Sequence, residues 1–208
     1  MSQFIESIKV DDRKIFMLEL HQHRVNETFS YFGHENPLNL AQVFKNLDHQ
    51  EEGLYKFKVT YGLDGKFRTQ MIPYAISEKA NFELVENNSY DYAFKFEDRT
   101  ELEHMKQRSR AAEIIIVKNN HITDTSYSNL IFKKGKDWFT PKSFLLNGVQ
   151  RQHLLKTKKI KEAEVTLQNI HDFSHFQLIN AMNNLDDQLI YPISKIKNLP
   201  QKPGAEAF

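Results

Sequence analysis

The sequence has no cysteine in its 208 residues. Disulfide bonds, thiolate zinc sites and a cysteine nucleophile are therefore excluded, and the absence agrees with a reducing compartment. The formal net charge is only +1, so no field of the whole protein favours nucleic acid or an anionic membrane. No apolar run approaches the length of a membrane-spanning helix, and residues 1–10 lack the charged and apolar regions of a signal peptide. We therefore expect a cytoplasmic protein with no nucleic-acid or membrane partner.

The residues that are present have the proportions of a globular protein. Hydrophobic residues make up 40% of the chain and charged residues 26%, both ordinary values. A chain of this length can bury a real core, in one large domain or two small ones. The best linker candidate is the short polar stretch 86–89 (ENNS). We predict a smaller α+β domain over residues 1–86 and a larger, β-rich domain over residues 87–208.

The secondary structure follows from the spacing of the apolar residues. Helical spacing predicts helices over residues 20–31, 38–47, 100–110 and 148–158. Period-two patterns and short apolar runs predict strands over residues 4–10, 15–20, 54–61, 66–74, 81–86, 113–117, 122–125, 129–133, 138–140 and 160–167. Residues 177–182 and 188–193 flank a polar turn, and residues 198–208 form a loosely held tail. The order of these elements is that of an α+β fold.

The stretch Tyr90–Arg99 (YDYAFKFEDR) is the segment around which we expect the chain to be organised. Its aromatic residues alternate, which predicts a strand with one aromatic face that ends just before the helix at residue 100. Lys95 lies near the end of this strand, where chemistry is often placed. A lysine held against apolar walls can lose its proton and act as a nucleophile, for example to form a Schiff base. The alternative, a solvated lysine on an exposed face, is the commoner case for a lone lysine.

Two further segments have residues suited to a ligand. Residues 147–151 (NGVQR) lie where a loop enters a helix, and the first amides of that helix could bind a phosphate. The alternative is an ordinary helix start with a glycine near its N-cap. Residues 122–129 (ITDTSYSN) are rich in small polar types, and Asp124 could pair with a protonated ring nitrogen. The alternative is a polar bend that satisfies its own backbone.

Arg24 is a candidate partner for a phosphate or a carboxylate, because a guanidinium group matches the geometry of an oxyanion. His21 and His23 lie beside it, but they do not share a face of a helix and no third ligand is spaced to join them. We therefore predict no metal site. The basic run 156–161 (KTKKIK) is interpreted as the solvated face and end of a helix.

Taken together and in order, these segments resemble the class IV aminotransferase family, the pyridoxal-phosphate enzymes of fold type IV. The segments that carry the resemblance are LxxHxxR at 18–24, FK at 94–95 with DR at 98–99, ITD at 122–124 with SNLIF at 128–132, WFTP at 138–141 with GVQR at 148–151, and LINAM at 178–182. The likeness covers nearly the whole chain and is greatest to the lyases of this family that act on aminodeoxychorismate. It implies the two-domain α+β architecture of D-amino acid aminotransferase.

The resemblance also implies a cofactor, pyridoxal 5'-phosphate, and a role for each matching residue. Lys95 would carry the cofactor as a Schiff base and later move the substrate proton. Asp124 would hold the ring nitrogen, with Asn129 beside it as a further cofactor contact. The phosphate would be bound by Arg24, by Gly148 with the amides of Val149 and Gln150, and by the turn at Asn180 and Ala181. Ser7 lies where the lyases carry a small hydroxyl residue near the substrate.

Two departures from the family pattern concern the substrate and the cofactor ring. Family members usually carry a glutamate where this sequence has Asp124, which is one methylene shorter. The chain also begins late, without a strand pair that precedes residues 4–10 in fuller members, so we expect an N-terminally shortened architecture. The missing parts shape the substrate side of the pocket.

Several functions follow from the resemblance. The first is elimination of pyruvate from aminodeoxychorismate, which gives p-aminobenzoate for folate synthesis; Ser7 favours this reading slightly. The second is transamination of a branched-chain or D-amino acid. The third is a catalytically inert relative that keeps the fold as a binding or interaction protein. A separate alternative is an unrelated α+β binding protein whose motif matches are due to chance, and such a protein would bind no cofactor. Family members are generally homodimers that act on small molecules, so we expect a homodimer.

Overall fold

The computed structural model describes residues 2–47, 52–185 and 189–201. Its contacts divide the chain into two compact units, each a mixture of helices and strands. The first unit is formed by Met1–Ile76 with Tyr92–Arg99, and the second by Ser77–Asp91 with Thr100–Phe208. The predicted α+β class is confirmed. In the described part of the chain, no helix combines the length and the apolar character that a membrane span requires.

The first unit is built on an antiparallel sheet of four strands in the order β2-β1-β3-β4. Its elements are β1 (Gln3–Asp11), β2 (Lys14–Ile15), α1 (Leu18–Tyr31), α2 (Leu40–Lys45), β3 (Leu54–Gly62) and β4 (Phe67–Pro73). Alternate residues of β1 and β3 enter the core, as a strand with one buried face requires. The buried stripe of α1 has helical spacing and consists of His21, Arg24, Val25, Thr28 and Phe29.

The second unit contains the longer sheet, in the order β10-β9-β8-β7-β6-β5, with β11 pairing β8 and β12. Its elements are β5 (Phe82–Glu86), α3 (Thr100–Arg108), β6 (Glu113–Lys118), β7 (His121–Thr125), β8 (Asn129–Lys134), β9 (Asp137–Pro141), α4 (Val149–Lys156), β10 (Lys161–Ala163), β11 (His175–Ile179) and β12 (Ile190–Pro192). The β5–β6 and β9–β10 pairs are parallel, and the other pairs are antiparallel. The hairpin between β6 and β7 turns at Asn119 and Asn120, both with positive φ, as a two-residue hairpin turn requires.

The aromatic stretch 90–99 is not a strand, which corrects the sequence prediction. Only one isolated bridge, between Phe4 and Phe96, ties it to β1. The rings of Phe94 and Phe96 lie 6.5 and 5.1 Å from the ring of Phe4, and the Tyr92 hydroxyl donates to the Phe96 carbonyl at 2.7 Å. The aromatic residues therefore fill the end of the first core and do not line one face of a sheet.

Two other predicted strands are shorter than expected. The strand predicted over residues 15–20 ends after Ile15, because Met17 has a left-handed conformation and α1 begins at Leu18. The strand predicted over residues 160–167 is reduced to β10, three residues long. The predicted turn at 183–187 and the predicted tail lie partly outside the described residues.

The division of the chain also differs from the predicted boundary after residue 86. The predicted linker lies inside the second unit, and residues 92–99 belong to the first. The cause is backbone pairing with β1: the Ile5 amide donates to the Lys95 carbonyl at 2.9 Å, and the Glu97 amide donates to the Gln3 carbonyl at 2.8 Å. Lys95, which the prediction placed with the larger C-terminal domain, therefore lies in the first unit.

Candidate active site

A buried acid, a histidine and an arginine meet inside the first unit. Glu6 shares the core face of β1 with Phe4 and Ile8, and it is fully buried. His21 and Arg24 lie three residues apart on α1, which puts them on the same side of that helix. Arg24 donates from Nε to Oε1 of Glu6 at 2.8 Å and from Nη2 to Oε2, while His21 Nδ1 lies 2.5 Å from Oε2. The two helix residues thus both contact one carboxylate, and we call Glu6, His21 and Arg24 the buried triad.

The charges of the buried triad are fixed by its neighbours. Burial alone would raise the pKa of Glu6, but Arg24 and His21 outweigh it and hold that pKa at about 2. Burial lowers the pKa of His21, and the positive charges of Arg24 and Lys95 lower it further against the effect of Glu6. Glu6 raises the pKa of Arg24 despite its burial. Near neutral pH the triad therefore holds a carboxylate, a guanidinium and a neutral imidazole whose Nε2 is buried without a hydrogen bond.

Arg24 was predicted to bind a phosphate, and its surroundings bear on that role. Its bonds to Glu6 use two N–H groups, whereas a guanidinium carries five. The side chain is 10% exposed. Donors remain for a phosphate, but the ion pair with Glu6 already offsets the positive charge of Arg24 and so weakens its attraction for a further anion.

Lys95 lies in the irregular segment that pairs with β1. Its carbonyl accepts from Ile5, and its ammonium is among the charges that lower the pKa of His21. Lys95 therefore lies within electrostatic reach of the buried triad. Ser7, the predicted substrate-side residue, follows Glu6 on β1 and so faces the opposite side of the sheet, where it pairs in register with Lys58.

In the second unit, Asp124 on β7 is held by three donors. Its Oδ1 accepts from Asn129 Nδ2 at 2.8 Å, and its Oδ2 accepts from the Leu145 and Leu146 amides at 3.1 and 2.9 Å. Burial raises the pKa of Asp124 to about 6, against the opposing effect of these bonds and of Arg151. The carboxyl group is therefore mostly ionised at pH 7, and it is 6% exposed.

Asn129 holds Asp124 against the loop that leads into α4. Its Nδ2 donates to Asp124 and also to the Leu146 carbonyl, both at 2.8 Å. Its Oδ1 lies so close to Gly148 that a Cβ built on that glycine would meet it at 2.1 Å. Both amide hydrogens of Asn129 are therefore used within the protein, and only glycine fits at position 148. Its predicted contact with a cofactor stays a prediction, while the structure shows it orienting Asp124.

Helix α4 begins where the sequence places a phosphate site. Gly148 is its N-cap, and Val149 and Gln150 form the first turn, whose amides have no partner within a helix. Arg151 follows in the same turn, is buried, and donates to Glu162. That arginine anchors the start of the helix and adds positive charge near Asp124.

The turn after β11 is joined to the same region. Asn180 Nδ2 donates to the Ser128 hydroxyl at 2.8 Å, and its Oδ1 accepts from the Met182 and Asn183 amides. Ala181, the other predicted phosphate contact, lies in this turn. Because Ser128 directly precedes Asn129, the second unit brings its predicted residues into one hydrogen-bonded region.

The predicted site residues thus form two groups, one in each unit. The first unit holds Ser7, Arg24 and Lys95. The second holds Asp124, Asn129, Gly148, Val149, Gln150, Asn180 and Ala181.

Glu6 and His21 are not among the site residues predicted from the sequence, where His21 is considered only as a metal ligand and rejected. A signal existed in the alternation of Phe4, Glu6 and Ile8, which places an acid at a core position of a strand. An acid is rarely buried without a charged partner. The pattern could therefore have pointed to an arginine or a histidine on the covering helix.

Comparison with known proteins agrees with this geometry. Residues 3–196 match the family described as amino-transferase class IV. An uncharacterized protein of Haemophilus influenzae is 32% identical over 192 residues, which cover 89% of this chain and all of that protein. A crystal structure from Haemophilus somnus 129PT, provisionally named 4-amino-4-deoxychorismate lyase, is 31% identical with a TM-score of 0.82, covering 89% of this chain and 98% of that one.

The branched-chain amino acid aminotransferase of Escherichia coli is 12% identical, with a TM-score of 0.71 and coverage of 98% of this chain and 79% of that one. A likeness at that identity shows the fold alone. The family match spans most of the sequence, so this chain belongs to the class IV aminotransferase family and has its α+β fold. The resemblance inferred from the motifs is thereby confirmed, and the fold is one of enzymes.

Proposed function

We propose that this protein is a cytoplasmic, homodimeric pyridoxal-phosphate enzyme that eliminates pyruvate from aminodeoxychorismate and yields p-aminobenzoate for folate synthesis. The observation that carries the proposal is the ionised, buried Asp124, held by Asn129 and by two loop amides beside the start of α4. The likeness to the Haemophilus somnus protein over 98% of its chain supports the lyase reading.

The residues present fit the proposed cofactor. A pyridine nitrogen needs an ionised acid, and Asp124 keeps acceptor capacity on Oδ1, which receives only the Asn129 bond in the described structure. A phosphate is bound by an arginine or by helix-start amides, and each unit offers one of these: Arg24 in the first unit and the first turn of α4 in the second. An aldehyde needs an amine, which Lys95 provides. Asp124 is one methylene shorter than the glutamate usual in the family, but three hydrogen bonds fix the orientation of its carboxylate.

Once bound, pyridoxal phosphate would supply an electron sink for the substrate carbanion. The work of the chain itself is to bind, orient and move protons. Lys95 would take the proton from the amine-bearing carbon of the substrate and give it to the departing enolpyruvyl group, which leaves the neighbouring ring carbon as pyruvate while the ring becomes aromatic. Asp124 would stay ionised opposite the ring nitrogen, and Arg24 would hold the phosphate with Glu6 fixing its guanidinium plane.

A second candidate function is transamination of a branched-chain or D-amino acid. It is favoured by the match of residues 3–196 to the class IV aminotransferase family, and it would use the same residues for its first steps. A third is an inert relative that binds the cofactor without turnover. The three differ in their products, so one assay separates them.

The assay combines the protein, pyridoxal phosphate and aminodeoxychorismate, and follows p-aminobenzoate by fluorescence and pyruvate by a coupled dehydrogenase. We expect both products in equal amounts, because elimination releases one of each per turnover. A parallel reaction with leucine, D-alanine and 2-oxoglutarate measures glutamate. Glutamate from the parallel reaction, with no p-aminobenzoate from aminodeoxychorismate, would replace the lyase by an aminotransferase. Cofactor binding with neither glutamate nor p-aminobenzoate would favour the inert relative.

Asp124→Asn is expected to weaken binding of pyridoxal phosphate at least tenfold at pH 8 while keeping the shape of the side chain. The reason is that only an ionised acid keeps the ring nitrogen protonated. The difference from the wild type should shrink as the pH falls through about 6, where Asp124 itself becomes neutral. Quenching of the single tryptophan, Trp138, measures binding.

The free protein provides a control for the Asp124 prediction. Because the pKa of Asp124 in the folded protein lies above its unfolded value, ionising it costs stability. The wild type should therefore gain stability relative to Asp124→Asn as the pH falls from 7 towards 4. A ratio of cofactor affinities that is the same at pH 5 and pH 8 would contradict the role of Asp124.

A further inference from the structure

A row of cations lies on the side of the first sheet that faces away from its core. Phe57 and Val59 of β3 are fully buried, so the residues that alternate with them, Lys56 and Lys58, share the opposite face. The register sets Ser7 opposite Lys58, and Lys9 of the same strand opposite Lys56. Paired residues of an antiparallel sheet point to the same side, so the predicted substrate-side serine shares this face with the lysines.

Most cations of this face have a carboxylate partner, but Lys56 has none within the described part of the chain. Lys9 pairs with Asp11 at 3.3 Å. Glu97 forms ion pairs with both Lys58, at 3.2 Å, and Arg68, at 2.6 Å. Among the residues that the structure describes, no acid lies within ion-pair distance of Lys56, and its ammonium lies 5.9 Å from the centre of the Tyr74 ring.

The surroundings of Lys56 favour an incoming anion. Its side chain is partly buried, and burial lowers its pKa, as do the charges of Lys58 and Arg99. Like charges held close together repel one another, and a carboxylate bound among them removes that repulsion and forms charge-assisted hydrogen bonds. The aromatic ring of Tyr74 supplies a flat apolar wall beside the charge.

We propose that Lys56, with Lys58 beside it, forms a subsite for a carboxylate of the substrate that lies far from the reacting amine. The inference rests on the proposed function, because Ser7 lies on β1 and the Lys95 carbonyl accepts from Ile5 of the same strand. Aminodeoxychorismate and p-aminobenzoate carry a ring carboxylate across the ring from the amine. A branched-chain amino acid would offer this face an apolar side chain and leave Lys56 uncompensated. The substrate class is therefore an amine with a remote carboxylate.

The test compares two probes that differ only in charge, p-aminobenzoate and its neutral isostere p-aminobenzamide, by isothermal titration of the full chain with pyridoxal phosphate present. Lys56→Met removes the charge and keeps the length, Lys56→Arg keeps the charge, and Lys66→Met is the matched control at a 90% exposed turn position. We expect Lys56→Met to weaken p-aminobenzoate at least tenfold with p-aminobenzamide unchanged, and Lys56→Arg to retain most of the affinity.

Equal losses in Lys56→Met and Lys66→Met would overturn the subsite, because they would reflect net charge alone. An unchanged affinity in Lys56→Met would overturn it as well. The result separates the subsite from the proposed function. If p-aminobenzoate binding depends on Lys56 while no pyruvate forms, the subsite stands and the lyase assignment fails. If pyruvate forms with the same KM in Lys56→Met, the lyase assignment stands and the subsite fails.

Discussion

Lys95→Ala is expected to abolish turnover and the visible absorbance that the protein gains with pyridoxal phosphate. Under the proposed function, the Lys95 amine would bond to the aldehyde carbon of the cofactor and would also move the substrate proton. The loss in kcat/KM should be on the order of 10³-fold or more, since proton transfer alone contributes about 10² to 10⁴. An absorbance spectrum before and after borohydride measures the bond, because borohydride fixes it covalently in the wild type alone.

Lys95→Arg is the matched control for that substitution. It keeps the positive charge that acts on His21 and the backbone pairing with Ile5, but its guanidinium is not a nucleophile. We expect it to fold like the wild type and to show no trapped cofactor. Trapping that persists in Lys95→Ala would move the reactive amine to another lysine, and a spectrum with no band in the wild type would leave the chain a relative that shares only the fold.

The sequence singles out the segment around Lys95 but predicts the wrong backbone for it. Alternating aromatic residues indicate a strand because side chains of a strand alternate between two faces. Here Phe94 and Phe96 both contact Phe4 at the end of β1. Periodicity reports only the local sequence, whereas these rings are positioned by contact with Phe4, about ninety residues earlier in the chain. The same long-range pairing moves residues 92–99 into the first unit.

The second group of site residues is more local, and the sequence describes it better. Asp124 and Asn129 lie five residues apart across one turn, and both the strand before and the strand after them are where the pattern predicts. The amides of Leu145 and Leu146 that hold Asp124 could not be predicted. Backbone donors leave no signature in the side-chain sequence, and their approach depends on how the loop before α4 closes.

The buried triad should show the largest stability effect in the protein. Arg24→Met leaves the Glu6 carboxylate buried without its main partner, and loss of one member of a buried pair typically costs about 3–5 kcal/mol. Glu6→Leu leaves the guanidinium in the same position. The double variant buries neither charge, so it should be far more stable than the sum of the single losses implies. The free energy of unfolding in urea measures each variant, and the coupling energy should exceed about 2 kcal/mol.

The surface pair Lys134 and Asp172 is the control for this cycle, since both side chains are 55% exposed at a separation of 3.0 Å. Exposed pairs couple by about 0–1 kcal/mol. The pH dependence adds a second readout: because the folded pKa of Glu6 is depressed from 4.5 to about 2, its stabilising effect is present above pH 4.5 and is lost as the pH falls towards 2. The double variant has no Glu6 carboxylate, so it should not show this loss of stability at acid pH. A buried pair that couples no more strongly than the surface pair would mean that Glu6 does not hold Arg24, and the orientation of the proposed phosphate ligand would then need another cause.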